Sequence, residues 1–150
     1  MEFDIVPPSS TVTWVLGGIA VLLIALTGFF VWLALFASSL SVVIDNAALE
    51  IKVPMYSRTI PVSQLDLERL EVARIAKGSP LRPRIRTNGI GLPGYGVGWF
   101  RLKNGDKALL AVTSRDPVVY IPTTEGYSVM LSVREPQQFV ERLRAAAGNG

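Results

Sequence analysis

The chain has 150 residues, 49% apolar and 18% charged, with no cysteine, no histidine and a formal net charge of +3. That length gives room for about one soluble domain, and a mean hydropathy of +0.37 excludes bulk disorder. The missing cysteines exclude a disulfide scaffold, thiol nucleophiles and thiolate metal sites; the missing histidines exclude the Ser-His-Asp arrangement and the commonest zinc ligand.

Charge is unevenly placed. Between Asp4 and Asp45 no side chain ionises, and Trp14 to Ala37 reads WVLGGIAVLLIALTGFFVWLALFA, in which Thr27 is the sole non-apolar side chain besides glycine. At 1.5 Å per residue the run reaches roughly 36 Å, enough to cross a hydrocarbon core of about 30 Å with some tilt. A transmembrane helix is therefore expected over 14–38, after a short acidic tail at 1–13. A buried core helix would carry a polar face or be shorter. A cleavable signal would want a basic n-region and a shorter apolar stretch. The tail offers only Glu2 and Asp4, so the segment reads as an anchor that stays. All fifteen Lys and Arg follow it, beginning at Lys52. The positive-inside tendency then leaves the amino terminus outside and the carboxy-terminal domain in the cytoplasm of a single-pass membrane protein. Small residues recur by sevens at Thr13, Ala20, Thr27 and Ala34, with Gly17 and Gly28 close by. Such a seam admits a second helix at close range, although small residues are common in any membrane helix.

Residues 41–147 are expected to form one β-rich domain. Ser41–Asp45 and Ala48–Val53 alternate around Asn46-Ala47, a hairpin pattern. Arg58–Val62 follows, then Asp66–Ile75, where Leu70 and Val72 alternate with charged residues. Val97–Lys103 and Lys107–Thr113 flank Asn104-Gly105-Asp106, the strongest hairpin signal in the chain. Val118–Ile121 and Tyr127–Leu131 complete about seven strands. The period then changes: Phe139, Val140, Leu143 and Ala146 or Ala147 share one helical face, Pro136 suits the first turn and Gly148 stops it. Short antiparallel strands followed by a helix over 136–147 predict a small barrel or sandwich capped by that helix.

The order of these segments resembles the bacterial pleckstrin-homology-like (PH-like) domains, in particular small membrane-anchored members with one helix ahead of the domain. The resemblance is carried by Leu49–Pro54, Arg58–Leu65, Gly91–Arg101, Val118–Pro122 and the closing Leu131-Ser132, Pro136 and Phe139. It implies a mainly β, PH-like fold placed at a membrane, in a family that generally carries no assigned chemistry.

Gly89-Ile-Gly91-Leu-Pro-Gly94 has the GxGxxG spacing, but a dinucleotide site needs a helix after that turn, and Tyr95–Lys103 reads as strand. A glycine-dense loop is expected instead. Gly91, Pro93, Gly94, Tyr95 and Trp99 form a candidate recognition loop; adjacent Trp99 and Phe100 face opposite sides of a strand, one core and one half-covered. From Arg69 to Arg86, six basic residues face Glu71 alone. Within that run Arg74, Lys77, Arg82, Arg84 and Arg86 are candidate contacts for an anionic membrane surface, the last three alternating along one side of an extended segment. Each basic group near an anionic leaflet is worth about 1 kcal/mol. A solvated loop that merely reinforces topology is the plain alternative. Stacking aromatics do not interleave with the arginines, so nucleic acid is not an expected partner. In PH domains that read phosphoinositides, basic residues flank the first hairpin loop; here that loop is Asn46-Ala47-Ala48, so this role is not carried over.

No catalytic, metal or cofactor-binding constellation appears. Ser57 and Ser63 lack a histidine partner, and the scattered carboxylates mostly neighbour arginines, as surface pairs do. The expected function is a non-enzymatic, membrane-anchored PH-like interaction module, with no cofactor and no small-molecule substrate, that binds a protein partner or the anionic membrane surface. The alternative is a structural subunit of a membrane assembly, recognised through the packing seam at Gly17, Ala20, Thr27 and Ala34.

Overall fold

The computed structural model describes residues 9–37, 40–45 and 47–148, and the chain divides into two compact units between Ser39 and Leu40. In the first, helix α1 runs from Ser10 to Ala37. The Val12 N–H donates to the Ser9 carbonyl at 3.0 Å, so the helix starts a turn before Trp14. Its stretch Ser10–Leu35 has a mean hydropathy of 2.5 and is long and apolar enough to cross a membrane. Gly17, Ala20, Thr27 and Ala34 are all exposed on it. The Thr27 hydroxyl donates to the Leu23 carbonyl at 2.8 Å, which satisfies the one polar side chain of the apolar run within the helix itself. Ser38, where the expected span ends, lies outside the described residues.

The second unit holds nine strands among the described residues. Strands β1 (Ser41–Asp45), β2 (Ala48–Lys52) and β3 (Arg58–Pro61) form an antiparallel sheet in that order. Asp45 pairs with Ala48 across the first hairpin, and Ala47 takes the left-handed conformation (φ 60°) that so tight a reversal demands. Asn46 lies outside the described residues. After a single 3-10 turn at Val62–Gln64 come β4 (Glu71–Ala73), β5 (Pro83–Leu92), β6 (Tyr95–Leu102), β7 (Lys107–Val112), β8 (Val118–Pro122) and β9 (Ser128–Leu131). They make a second sheet in the order β4-β8-β9-β7-β6-β5, and helix α2 (Pro136–Gly148) ends the unit.

Alternation places Leu49, Ile51 and Ile60 of the first sheet against Val97, Leu109, Ile121 and Val129 of the second, all buried. Val140 and Leu143 of α2 close this core. The outer face of the six-stranded sheet is buried as well. Phe100, Leu102, Leu110, Tyr120 and Met130 lie under Ile75 and Leu81, which descend from the segment joining β4 to β5. Burying each of those two side chains is worth about 1.5–3 kcal/mol. This cover explains why β8 and β9 are buried at every position.

The mainly β architecture with its terminal helix is as expected, and several details differ. Among the described residues the strands number nine rather than about seven, and β9 runs parallel to β7 while pairing antiparallel with β8. Of the expected strand Asp66–Ile75, only Glu71–Ala73 pairs; Asp66 instead accepts from both the backbone N–H and the side chain of Arg69, turning the chain. The glycine-dense stretch is not a loop. Gly89 and Gly91 lie inside β5, which pairs with β6 through two register shifts, between Pro83 and Ile85 and between Arg86 and Asn88. The turn of that hairpin is confined to Pro93-Gly94, where Gly94 has φ 82°.

Candidate functional site

The β4–β5 segment, held down by Ile75 and Leu81, leads directly into β5. The same outer sheet face that receives those plugs continues beneath the β5–β6 hairpin. A cleft of about 470 Å³ opens there. Its apolar floor is Ile75, Phe100, Leu110 and Val112, and its basic wall is Arg82, Arg84, Arg86 and Arg115. Gly91, Pro93, Gly94 and Tyr95 form the opposite rim. The arginine run and the hairpin tip, distant in composition and purpose on the sequence, therefore line one concavity.

No carboxylate lines this cleft, and among the described residues no ion pair engages Arg84, Arg86 or Arg115. Arg82 donates from Nη1 to the Lys77 carbonyl at 3.3 Å, which helps hold the segment's turn. A second cavity, of about 570 Å³, adjoins on Lys77, Arg82, Pro83, Arg84 and Lys103, and again its side chains carry only positive charge. Burial pushes the Tyr95 phenol up from its ordinary value, so its hydroxyl remains a protonated donor at neutral pH. Planar guanidinium forks suit the oxygens of a phosphate or carboxylate.

Two expected residues stand apart. Arg74 is absent from the cleft lining: its Nε lies 2.8 Å from Asp116 Oδ2, an exposed pair that turns the guanidinium aside. Trp99 faces the other side of β6, because alternation gives that face to Tyr95, Val97 and Trp99 and the outer face to Phe100. Its ring meets Tyr127 edge-on at 5.3 Å, with Lys107 Nζ 4.5 Å and Arg58 Cζ 5.6 Å from its centroid. This is a half-buried structural cluster, separate from the cleft. Phe100 is the buried member of the Trp99-Phe100 pair.

Arg115 had no signal in the sequence. It sits in the β7–β8 connection and reaches the cleft because its carbonyl accepts from the Ile75 N–H at 2.9 Å, tying that connection to the plug. The glycine pattern also finds its explanation here. Gly89 and Gly98 face each other across β5 and β6, so close that a Cβ on either would sit within 3 Å of the opposing backbone. The spacing serves strand contact, with no helix behind it to receive a pyrophosphate.

Two sheets closed by a carboxy-terminal helix define a module of the PH-like class. The family described as bacterial PH domain matches residues 40–147, and the chain belongs to it. No curated protein and no solved structure matches the chain.

Proposed function

We propose that the chain is a non-enzymatic, membrane-anchored interaction module whose PH-like domain offers the arginine cleft to anionic groups. Those groups are carried by the lipid surface or by an acidic protein partner. The observation that carries this reading is the convergence of Arg82, Arg84, Arg86 and Arg115 with the hairpin rim around one cleft that no carboxylate neutralises. Only residues 38–40 separate α1 from β1 in the sequence, so a spanning helix tethers the domain to its membrane. On this reading the amino terminus lies outside the cell membrane and the domain lies in the cytoplasm.

The test uses the full chain in nanodiscs of zwitterionic lipid and in nanodiscs containing one-third anionic lipid. Hydrogen exchange over residues 82–95 is expected to slow in the anionic discs. A triple reversal, Arg84→Glu, Arg86→Glu and Arg115→Glu, is expected to abolish that protection. If protection is the same in both discs while a protein recovered from native membranes is lost with the reversal, the anion belongs to a protein. If neither readout responds to the reversal, the cleft is not the contact surface. Recovery that instead fails with Ala20→Leu and Thr27→Leu would favour a subunit recognised through its helix.

A further inference from the structure

Each sheet of the domain has two edges, and three of the four are blunted. Strand β4 has only three residues; β3 has four and carries Arg58 and Pro61. Strand β5 carries Pro83, Arg84 and Arg86 and is broken by two register shifts. These are the ordinary devices that stop strands from adding to a sheet. Strand β1 has no proline, no register shift and no charge except Asp45 at its end. It reads Ser-Val-Val-Ile-Asp, pairs with β2 without interruption over its five residues, and among the described residues has no strand on its other side.

Beside this open edge lies a groove of about 460 Å³ between β1 and α2. Its lining is symmetric in kind. On the strand, Val42 and Ile44 flank Val43; along α2 and the residue that precedes it, Glu135 and Arg142 stand at equal sequence distance either side of Gln138 and Phe139. Glu135 immediately precedes α2, its carbonyl accepting from the Phe139 N–H at 3.0 Å, and both it and Arg142 line the groove. Both are exposed, and neither takes part in an ion pair among the described residues.

We infer that this surface is a self-association site: β1 of one copy pairs antiparallel with β1 of a second copy about Val43, and α2 packs against its counterpart. An isologous contact requires a patch that complements itself. Here the central apolar residue meets its own kind, Asp45 of each strand falls opposite Ser41 of the other, and Glu135 just ahead of each helix meets Arg142 of the other copy. No like charges face one another along either row. The two three-stranded sheets become one of six strands, and the one unprotected edge of the domain disappears.

The chain has no cysteine, so a single introduced thiol reports the pairing cleanly. In liposomes, full-length Val43→Cys is expected to form a disulfide-linked dimer on mild oxidation, because facing residues of an antiparallel pair bring their Cβ atoms to about 5 Å. Leu92→Cys, 60% exposed on the β5 edge, is the control that does not cross-link. In the Val43→Cys background, Glu135→Arg or Arg142→Glu alone is expected to lower the cross-linked fraction about tenfold. The double exchange restores it. Near-UV circular dichroism confirms that each variant retains the native fold. Equal cross-linking of the Val43→Cys and Leu92→Cys chains overturns the inference, as does failure of the double exchange to restore pairing. A foreign protein cross-linked to the thiol of Val43→Cys, or association that survives Val43→Lys, overturns it as well.

Discussion

At Gly89 the backbone has φ 135°, and a Cβ there would lie 2.2 Å from the Val97 carbonyl oxygen. At Gly98, with φ 113°, it would lie 2.5 Å from the Asn88 oxygen. Both obstacles are backbone of the paired strand, which cannot swing aside as a side chain does. Gly89→Ala and Gly98→Ala are each expected to destabilise the fold by about 2–4 kcal/mol, combining a disfavoured conformation with a forced separation of the strands. Gly94→Ala meets open space and only the left-handed penalty, about 1–2 kcal/mol. Gly78→Ala meets neither obstacle and should stay within about 0.5 kcal/mol of the parent. Denaturant unfolding of the full chain in detergent, followed by tryptophan fluorescence, measures all four. A Gly89→Ala variant as stable as Gly78→Ala would refute the close approach. The sequence displays this glycine cluster plainly, and the lack of a following helix removes the nucleotide reading. The reason for the glycines is visible only once Gly89 and Gly98 are seen in register.

Among the elements, those set by local pattern were legible and those set by distant pairing were not. The β6–β7 hairpin follows from Asn104-Gly105, and α2 from its apolar spacing and Pro136. Strand β5 was hidden because Pro83 and two glycines weaken every local strand signal, and only pairing with β6 overrides them. The parallel contact of β7 with β9 joins Ala108 to Ser128 and leaves no trace in the alternation of either strand. The clue to the outer core lay in the uninterrupted apolar runs of β7 and β8, which signal burial on both faces. What covers that second face is the β4–β5 segment, anchored by Ile75 and Leu81, and the cleft depends on this anchoring. Leu81→Ala is expected to cost about 2–4 kcal/mol and to release the segment from the sheet. Trypsin then cleaves after Lys77 at least about tenfold faster than in the parent, since local opening governs cleavage. The β6–β7 hairpin should keep its hydrogen-exchange protection, because its own core contacts persist. Unchanged cleavage would mean that other contacts hold the basic segment.

At the scale of the whole molecule the governing feature is one-sided charge. In this sequence every Lys and Arg follows α1, and only Glu2 and Asp4 ionise before it. Orientation in a membrane responds to the basic residues within about 15–20 positions of the helix ends. On the carboxy-terminal side that window holds Lys52 and, at its margin, Arg58; on the amino-terminal side it holds no basic residue. The bias is thus two cations against none, small enough to be cancelled. Glu2→Lys with Asp4→Lys places two cations on the other flank and is expected to yield a mixed population of orientations. Glu125→Cys, in an exposed turn between β8 and β9, supplies a single thiol for a membrane-impermeant maleimide. In intact cells the parent topology should leave that thiol unlabelled until the membrane is opened, whereas the double lysine variant should label partly beforehand. Full labelling of the parent in intact cells would place the arginine cleft on the outer side, and its anionic partners would then have to be sought there.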